Sequence, residues 1–203
     1  QGIEFYKNYS QHKNLGLMHH DLGGYKPEDL RVVAAFDVDA RKVGRPLNKA
    51  MLAAPNCTQI FFRDIPPSKV IVKMGPVLDG VSPHMKDYPE ERTFLVADEE
   101  PCDVEAVLRD SGAEILVCYL PVGSQKAVEF YAQSCLNTGV SLVNCMPVFI
   151  ASDPSWQRKF TERNIPIVGD DIKAQLGATI LHRCLTRLFE DRGVVLDRTY
   201  QLN

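Results

Sequence analysis

The sequence has no paired cysteine motif, no long apolar run and no excess of basic residues. Its cysteines stand singly, without a CxxC pair or the Cys/His spacing of zinc sites, and its histidines are adjacent or isolated, so no metal site is predicted. Most cysteines lie among apolar residues, which predicts buried free thiols in a reducing compartment. The cysteines are Cys57, Cys102, Cys118, Cys135, Cys145 and Cys184.

The charge and the hydropathy pattern exclude two classes of partner. A net charge of -3 and a pI near 6.0, with scattered lysines and arginines, argue against nucleic-acid binding. No run approaches the roughly 18 apolar residues that a membrane span needs, and no charged-then-apolar leader stands at Gln1. We therefore expect a cytoplasmic protein without a membrane or nucleic-acid partner.

A glycine-rich phosphate loop is also missing. No G-x-G-x-x-G motif occurs within residues 1–30. In a dinucleotide-binding unit that loop opens the helix after the first strand. Residues 1–9 are predicted to be the last part of such a helix, so the first strand and the glycine loop are not among the 203 residues.

From residue 30 onward, apolar runs alternate with amphipathic segments. Strands are predicted at residues 30–37, 69–73, 113–120, 140–146 and 166–168. Helices are predicted within residues 39–52, 104–108, 124–138 and 154–163, and in a long segment that ends at Gly193. This alternation predicts an α/β fold with a doubly wound parallel sheet, in which the loops after the strands open on one carboxyl-end edge.

Two capping residues and one ligand residue are predicted at helix starts and strand ends. Ser124 is expected to cap the helix that follows it. Asp37 ends the first predicted strand, where a carboxylate can accept both hydroxyls of an adenosine ribose. The alternative is that Asp37 caps a helix, although Asp39 lies nearer to the following helix and suits that role better.

The stretch 166–179, PIVGDDIKAQLGAT, combines a strand, a turn at Gly169, two acids and a helix entered through Lys173. One of the acids, Asp170 or Asp171, is explained as a helix cap. Two acids and a lysine exceed what a cap requires, so at least one acid is expected to face a ligand, and the spacing leaves open which. The helix presents its apolar residues at steps of three and four.

Several segments together resemble the myo-inositol-1-phosphate synthases of bacterial and archaeal type. They are YLPVGS (119–124), VNCMPVFIASDP (143–154), PIVGDDIKAQ (166–175) and LFEDRGVVLDRTYQLN (188–203), preceded by GLMHHDLGGY (16–25) and VAAFDVDARKVG (33–44). The resemblance covers nearly the whole chain and implies a Rossmann-like NAD-binding fold.

The resemblance implies an NAD-dependent isomerase of inositol and phospholipid biosynthesis. Such an enzyme converts D-glucose 6-phosphate to 1L-myo-inositol 1-phosphate by oxidation, enolisation, aldol cyclisation and reduction. A cytoplasmic homotetramer is implied as well. The chain is expected to hold residues 1–175 as an incomplete NAD-binding domain and residues 176–203 as a connecting helix that begins the catalytic and oligomerisation domain.

The resemblance also assigns residue roles. Asp37 would bind the adenosine ribose, while Tyr119, Leu120, Asn144 and Asp170 would belong to the cofactor site. Asp171 would lie near the nicotinamide and act in catalysis together with Lys173, which is expected to pair with Asp170 or with a phosphate. Ala174 stands where relatives commonly have Ser, and the lysines that bind the sugar phosphate lie outside the chain, so residues 1–203 alone are expected to be inactive.

Two other functions stay open. An NAD(P) dehydrogenase of the semialdehyde or homoserine type shares the doubly wound sheet. It would need a Cys or His nucleophile or base after the sheet, and no cysteine here has a neighbouring histidine. The third possibility is a truncated, catalytically silent domain that keeps the fold and oligomerises.

Overall fold

A computed structural model describes residues 1–8, 15–56, 58–173 and 176–200. Its helices are α1 (Gly2–Asn8), α2 (Leu47–Ala50), α3 (Val104–Ser111), α4 (Gln125–Thr138), α5 (Pro154–Glu162) and α6 (Ala178–Asp191). Its strands are β1 (Phe36–Asp37), β2 (Lys73–Met74), β3 (Ile115–Cys118), β4 (Ser141–Asn144) and β5 (Ile167–Val168). None of the helices within these ranges is long and apolar enough to cross a membrane.

All strand pairs are parallel, which confirms the α/β prediction. β1 pairs with β2, and β3, β4 and β5 form a second sheet in that order. Helix α4 connects β3 to β4, and α5 connects β4 to β5. Within the described residues no backbone hydrogen bond joins β1 to β3.

The main core lies on one face of the β3–β4–β5 sheet, under helices α3, α4 and α5. Its buried members are Val104, Leu108, Leu116, Cys118, Val128, Tyr131, Ala132, Cys135, Leu136, Val140, Leu142, Met146, Ile150 and Phe160. Burying a side chain of Val, Leu or Phe size contributes about 1.5–3 kcal/mol, so this cluster fixes the strand ends firmly. On the opposite face Ile115, Val117 and Val168 are exposed.

The first predicted strand is much shorter than expected. Only Phe36 and Asp37 of residues 30–37 are in β1, and Val32 and Val33 are exposed. The predicted strand at residues 69–73 likewise reduces to Lys73–Met74. The physical reason is that each strand has few residues to pair with. β1 and β2 pair over only two residues, and no other described strand pairs with either of them.

Helix α6 begins later than predicted. Its N-cap is Gly177, without a capping side chain, so neither Asp170 nor Asp171 caps it and Lys173 does not open it. None of its residues is buried. Cys184, predicted to be buried on the apolar face of this helix, is exposed. Cys118, Cys135 and Cys145 are buried free thiols as predicted, and Cys57 lies outside the described residues.

Helix α4 receives its cap from a distant loop. Ser124 is the N-cap residue, but its hydroxyl donates to the Pro121 carbonyl at 2.6 Å and does not cap the helix. The Asp79 carboxylate instead accepts hydrogen bonds from the amides of Lys126 at 2.7 Å and Ala127 at 3.1 Å. The prediction of Ser124 as the capping side chain is therefore wrong, and Asp79 satisfies the first turn of α4.

Asp79→Ala is expected to lower the free energy of unfolding by about 1 kcal/mol, the usual effect of losing an N-terminal cap. Urea denaturation of the full-length gene product, followed by far-UV circular dichroism, measures this change. Asp87→Ala is the matched control, because Asp87 is an exposed acid in the same connection with no hydrogen bond to a described residue. Equal effects of the two substitutions would contradict the capping role of Asp79.

Candidate functional site

The predicted site residues lie at the carboxyl ends of the strands. Asp37 is the last residue of β1 and Asn144 the last of β4. Tyr119 and Leu120 follow β3, and Asp170 follows β5 after one glycine. Hydrogen bonds join some of these groups, most directly the Asn144 amide to the Asp170 carboxylate at 2.7 Å. In open α/β sheets this edge is where ligands bind.

The Asp170 carboxylate is fully engaged with the protein. Its donors are Asn144 Nδ2 at 2.7 Å, Ala151 N at 2.9 Å, Ile150 N at 3.0 Å, Ser152 N at 3.1 Å and Ser152 Oγ at 2.7 Å. Burial would raise the pKa of Asp170, but the hydrogen bonds, led by the Ser152 hydroxyl, outweigh it and hold the pKa below its ordinary value of 3.8. Asp170 therefore fastens the loop of residues 150–152 to the end of β5.

Asn144 completes this attachment from the neighbouring strand. It is 2% exposed. Its Nδ2 also donates to the Val148 carbonyl at 2.8 Å, while its Oδ1 accepts from the Met146 amide at 3.1 Å. A Cβ at Gly169 would lie only 2.7 Å from the Asn144 carbonyl oxygen, so a glycine is required there. The side chains of Asn144 and Asp170 thus shape the edge of the sheet and leave no free polar atom for a ligand.

The backbone of residues 171–173 does not form the helix start that the sequence predicts. The amides of Asp171 and Ile172 donate to the carbonyls of Met146 and Cys145 at 3.0 and 3.1 Å, so the backbone runs on beside the end of β4. Asp171 has a left-handed φ of 64°. These contacts explain why no helix begins here. Residues 174 and 175, Ala174 among them, lie outside the described residues.

The side chains of Asp171 and Lys173 are exposed. No hydrogen bond or ion pair joins either of them to another part of the described chain, so the predicted pairing of Lys173 with Asp170 is wrong. The oxygens of Asp170 are already occupied by Asn144 and the 150–152 loop. Residues 171–173 and 177–180 line a small cavity of about 150 Å³ at the start of α6. Of the two adjacent acids, Asp171 is the one whose carboxylate is open to a ligand.

Asp37 keeps one oxygen open at the end of β1. Its Oδ1 accepts hydrogen bonds from the amides of Val38 at 2.8 Å and Asp39 at 3.0 Å. Its Oδ2 lies 3.6 Å from Lys42 Nζ, and the side chain is 30% exposed. A carboxylate oxygen with this accessibility can accept a hydrogen bond from a ribose hydroxyl.

Asp39 does not cap helix α2, contrary to the prediction. It is fully buried and accepts hydrogen bonds from the guanidinium of Arg41 at 2.9 and 2.7 Å and from the Leu95 amide at 3.0 Å. Burial opposes ionisation of Asp39, but these bonds, first among them that from Arg41, lower its pKa below 3.8. Helix α2 begins at Leu47, eight residues after Asp39. Its N-cap residue is Pro46, and no side chain caps it.

Tyr119 and Leu120 lie where β3 leaves the sheet. The Leu120 amide donates to the Met146 sulfur at 3.1 Å, which ties this turn to the end of β4. Tyr119 is 66% exposed. A hydrogen bond with the Cys145 thiol, aided by partial burial, raises the pKa of the Tyr119 hydroxyl. The Tyr119 ring therefore presents an open surface at the same edge as Asp171.

The sequence predicts no role for the loop of residues 147–152, although this loop is central to the site. The only sequence pattern near this loop is the polar pair Ser152 and Asp153 before Pro154, which indicates a helix start. In the structure Asp153 caps α5 by accepting hydrogen bonds from the amides of Ser155 and Trp156. The loop is attached to Asp170, which lies 18 to 20 positions further along the chain, so the attachment leaves no local pattern in the sequence. Among the described residues no group of three or more acids, histidines or cysteines is arranged to hold a metal ion.

Comparison with known proteins gives the following matches. No protein-family model matches the chain. Over its whole length it is 52% identical to proteins named inositol-3-phosphate synthase from Mycolicibacterium smegmatis, Mycobacterium tuberculosis and Corynebacterium glutamicum, of which it spans 54%. The predicted resemblance is thereby confirmed, and the chain spans about half the length of these relatives.

Two solved structures are similar. The crystal structure of Ari2 aligns with a TM-score of 0.80 and 32% identity over 99% of this chain and 58% of its own. A myo-inositol-1-phosphate synthase-related protein from Thermotoga maritima aligns with a TM-score of 0.59 over 83% of this chain and 49% of its own. At 16% identity the second match supports the fold alone.

Proposed function

We propose that the chain is the NAD-binding part of an inositol-3-phosphate synthase, an isomerase that converts D-glucose 6-phosphate to 1L-myo-inositol 1-phosphate. The observation that carries the proposal is 52% identity, over the entire chain, to proteins of that name. Residues 1–175 would form the cofactor domain, and residues 176–203 would lead into the catalytic and oligomerisation domain. We further propose that the whole protein is a cytoplasmic homotetramer.

The carboxyl ends of the strands in the two sheets support NAD as the cofactor. Asp37 offers an accessible oxygen at the end of β1, where an acid binds the adenosine ribose. Asp171 and Lys173 offer a free carboxylate and a free ammonium group beyond β5. We propose that Asp37 contacts the adenosine end of the dinucleotide and that Asp171 and Lys173 lie near its nicotinamide end. Bound NAD would accept a hydride from the sugar in the first step and return it in the last.

The remaining residues of this edge would act by shaping it. Tyr119 and Leu120 would line the dinucleotide beside β3. Asn144 and Asp170, whose polar atoms are engaged with each other and with the 147–152 loop, would set the surface on which the cofactor rests. This differs from the direct cofactor contact predicted for both. We propose that they position the site without donating to or accepting from NAD.

Asp171 and Lys173 are proposed to act on the substrate. An open carboxylate accepts a hydrogen bond or a proton from a sugar hydroxyl, and a lysine acts as a point charge for a phosphate or an enolate oxygen. Lys173 cannot serve a phosphate and an enolate at once. The reaction therefore needs further cationic groups from the whole protein, and residues 1–203 alone are proposed to be inactive.

An assay of the full-length gene product, freed of bound nucleotide, tests the proposal. With glucose 6-phosphate it should form inositol phosphate only when NAD is added, and NADH should not accumulate because each turnover regenerates NAD. Residues 1–203 alone should form no product. Accumulation of NADH in step with substrate loss would indicate a dehydrogenase instead, and absence of any reaction in the full-length protein would favour a catalytically silent one.

A further inference from the structure

The turn of residues 40–44 after β1 carries two basic residues, Arg41 and Lys42, and the structure gives them different tasks. The guanidinium of Arg41 is fully engaged within the protein. It donates to the two Asp39 oxygens at 2.9 and 2.7 Å. It also donates to the carbonyls of Glu90 and Thr93, both at 2.7 Å. These contacts, first of all the hydrogen bonds that Arg41 donates to Asp39, raise the pKa of Arg41. Arg41 thus fastens the turn to residues 90–93 and has little capacity left for a ligand.

Lys42 is the available cation of this turn. Its Nζ lies 3.6 Å from Asp37 Oδ2, with its side chain 19% exposed. Its backbone is held because its amide donates to the Asp39 carbonyl at 2.9 Å. The distance is too long for a strong hydrogen bond, so the pair is an electrostatic contact that a ligand group can join or replace. Both side chains are partly exposed, so a ligand can reach the Lys42 ammonium group and the Asp37 carboxylate together.

We propose that Lys42, together with Asp37, determines which dinucleotide the site accepts. This inference rests on the proposed function, in which Asp37 binds the adenosine ribose. With Asp37 present, its carboxylate neutralises Lys42 and repels a ribose 2′-phosphate, so NAD is preferred. Without that carboxylate, Lys42 stands beside the ribose as an unpaired point charge and attracts the 2′-phosphate of NADP. The site is one substitution away from the opposite preference.

The test measures NAD and NADP binding to the full-length gene product by isothermal titration calorimetry. The variants are Asp37→Ala, Asp37→Ala/Lys42→Ala, and Lys49→Ala as a control. Lys49 is an exposed lysine on α2, in the same connection, with no ion pair to a described residue. Asp37→Ala should weaken NAD binding and strengthen NADP binding by about tenfold each, as expected for one charged contact. Adding Lys42→Ala should remove the gain in NADP binding.

Two further readouts separate this role from a structural one. The NADP gain of Asp37→Ala should shrink as salt is raised from 0.05 to roughly 0.5 M, because a partly exposed charge contact is screened. Asp37→Asn keeps an acceptor for the Val38 and Asp39 amides. It should show the same gain, which covers the case that Asp37→Ala fails to fold.

The outcomes are distinguishable. If the wild type binds NAD but the single and double variants bind NADP equally, Lys42 has no part in specificity and this inference is overturned while the proposed function stands. If the wild type and all variants bind neither cofactor, the proposed function is wrong and the inference falls with it. Lys49→Ala should bind both cofactors as the wild type does, and any change there would point to a general charge effect that overturns the specific role of Lys42.

Discussion

Asp170→Asn is expected to lower the free energy of unfolding by about 3 kcal/mol, because it removes a charged acceptor and leaves five donors, two of them on the buried residues Asn144 and Ile150, poorly paired. The lost partners are the backbone amides of residues 150–152, together with the Ser152 hydroxyl and the Asn144 amide. An asparagine keeps only one acceptor oxygen and turns an NH₂ group toward N–H donors. Urea denaturation of the full-length gene product measures the change, and Asp171→Asn is the matched control in the adjacent position.

The same substitution should change the response to acid. Since the pKa of Asp170 is held below 3.8 in the folded protein, its contribution to stability is complete above that value and is lost as the pH falls through the lower, folded value. The difference in unfolding free energy between wild type and Asp170→Asn should therefore be constant from pH 7 to about 5 and shrink below about 3.8. A difference independent of pH down to pH 2 would mean that the carboxylate charge contributes nothing.

Asp171→Asn is expected to lower kcat of the full-length gene product by about 100-fold, the usual loss when a proton-transferring group is removed. Its free energy of unfolding should change by less than about 0.5 kcal/mol, because the side chain is exposed and accepts no hydrogen bond from the described chain. The substitution keeps the size of the side chain and removes the charge. Its backbone contact to the Met146 carbonyl is independent of the side chain.

The control for this prediction is Asp110→Asn on helix α3, an exposed acid far along the chain from the site that should keep full turnover. Inositol phosphate formation at saturating glucose 6-phosphate and NAD gives kcat. If Asp171→Asn kept its turnover and lost stability instead, the roles of the two neighbouring acids would have to be exchanged. A rise in KM with kcat unchanged would place Asp171 in substrate binding and not in the chemical step.

The sequence was sufficient for the parallel fold and for the order of its elements, because both depend on local periodicity and on short connections. Helices α3, α4 and α5 begin within a residue of their predicted positions. The same local signals failed at strand ends: residues 30–37 have strand composition, but a strand also needs partners on its edges, and β1 finds them only at residues 36 and 37.

The roles within the site depend on contacts between distant residues, which a single sequence does not contain. Asp170 and Asp171 are chemically equal neighbours, and only the position of the 150–152 loop makes the first structural and leaves the second open. In the same way, Asp79 caps a helix 47 residues further along the chain, in place of the adjacent Ser124. Asp39 is taken up by Arg41 and Leu95.

The composition of the main core has a consequence for how the chain folds. Every buried member of that cluster falls between residues 104 and 160, a continuous part of the sequence. The strands that pair beside this core are closer in sequence (Ile115 with Ser141, Leu142 with Ile167) than Phe36 and Lys73 of the β1–β2 pair, so their closure costs less chain entropy. The β1–β2 pair, in contrast, joins residues 36 and 73 across a connection that holds little regular structure. We therefore expect the part from α3 to α5 to form first, and the end of β1 that carries Asp37 to become ordered later.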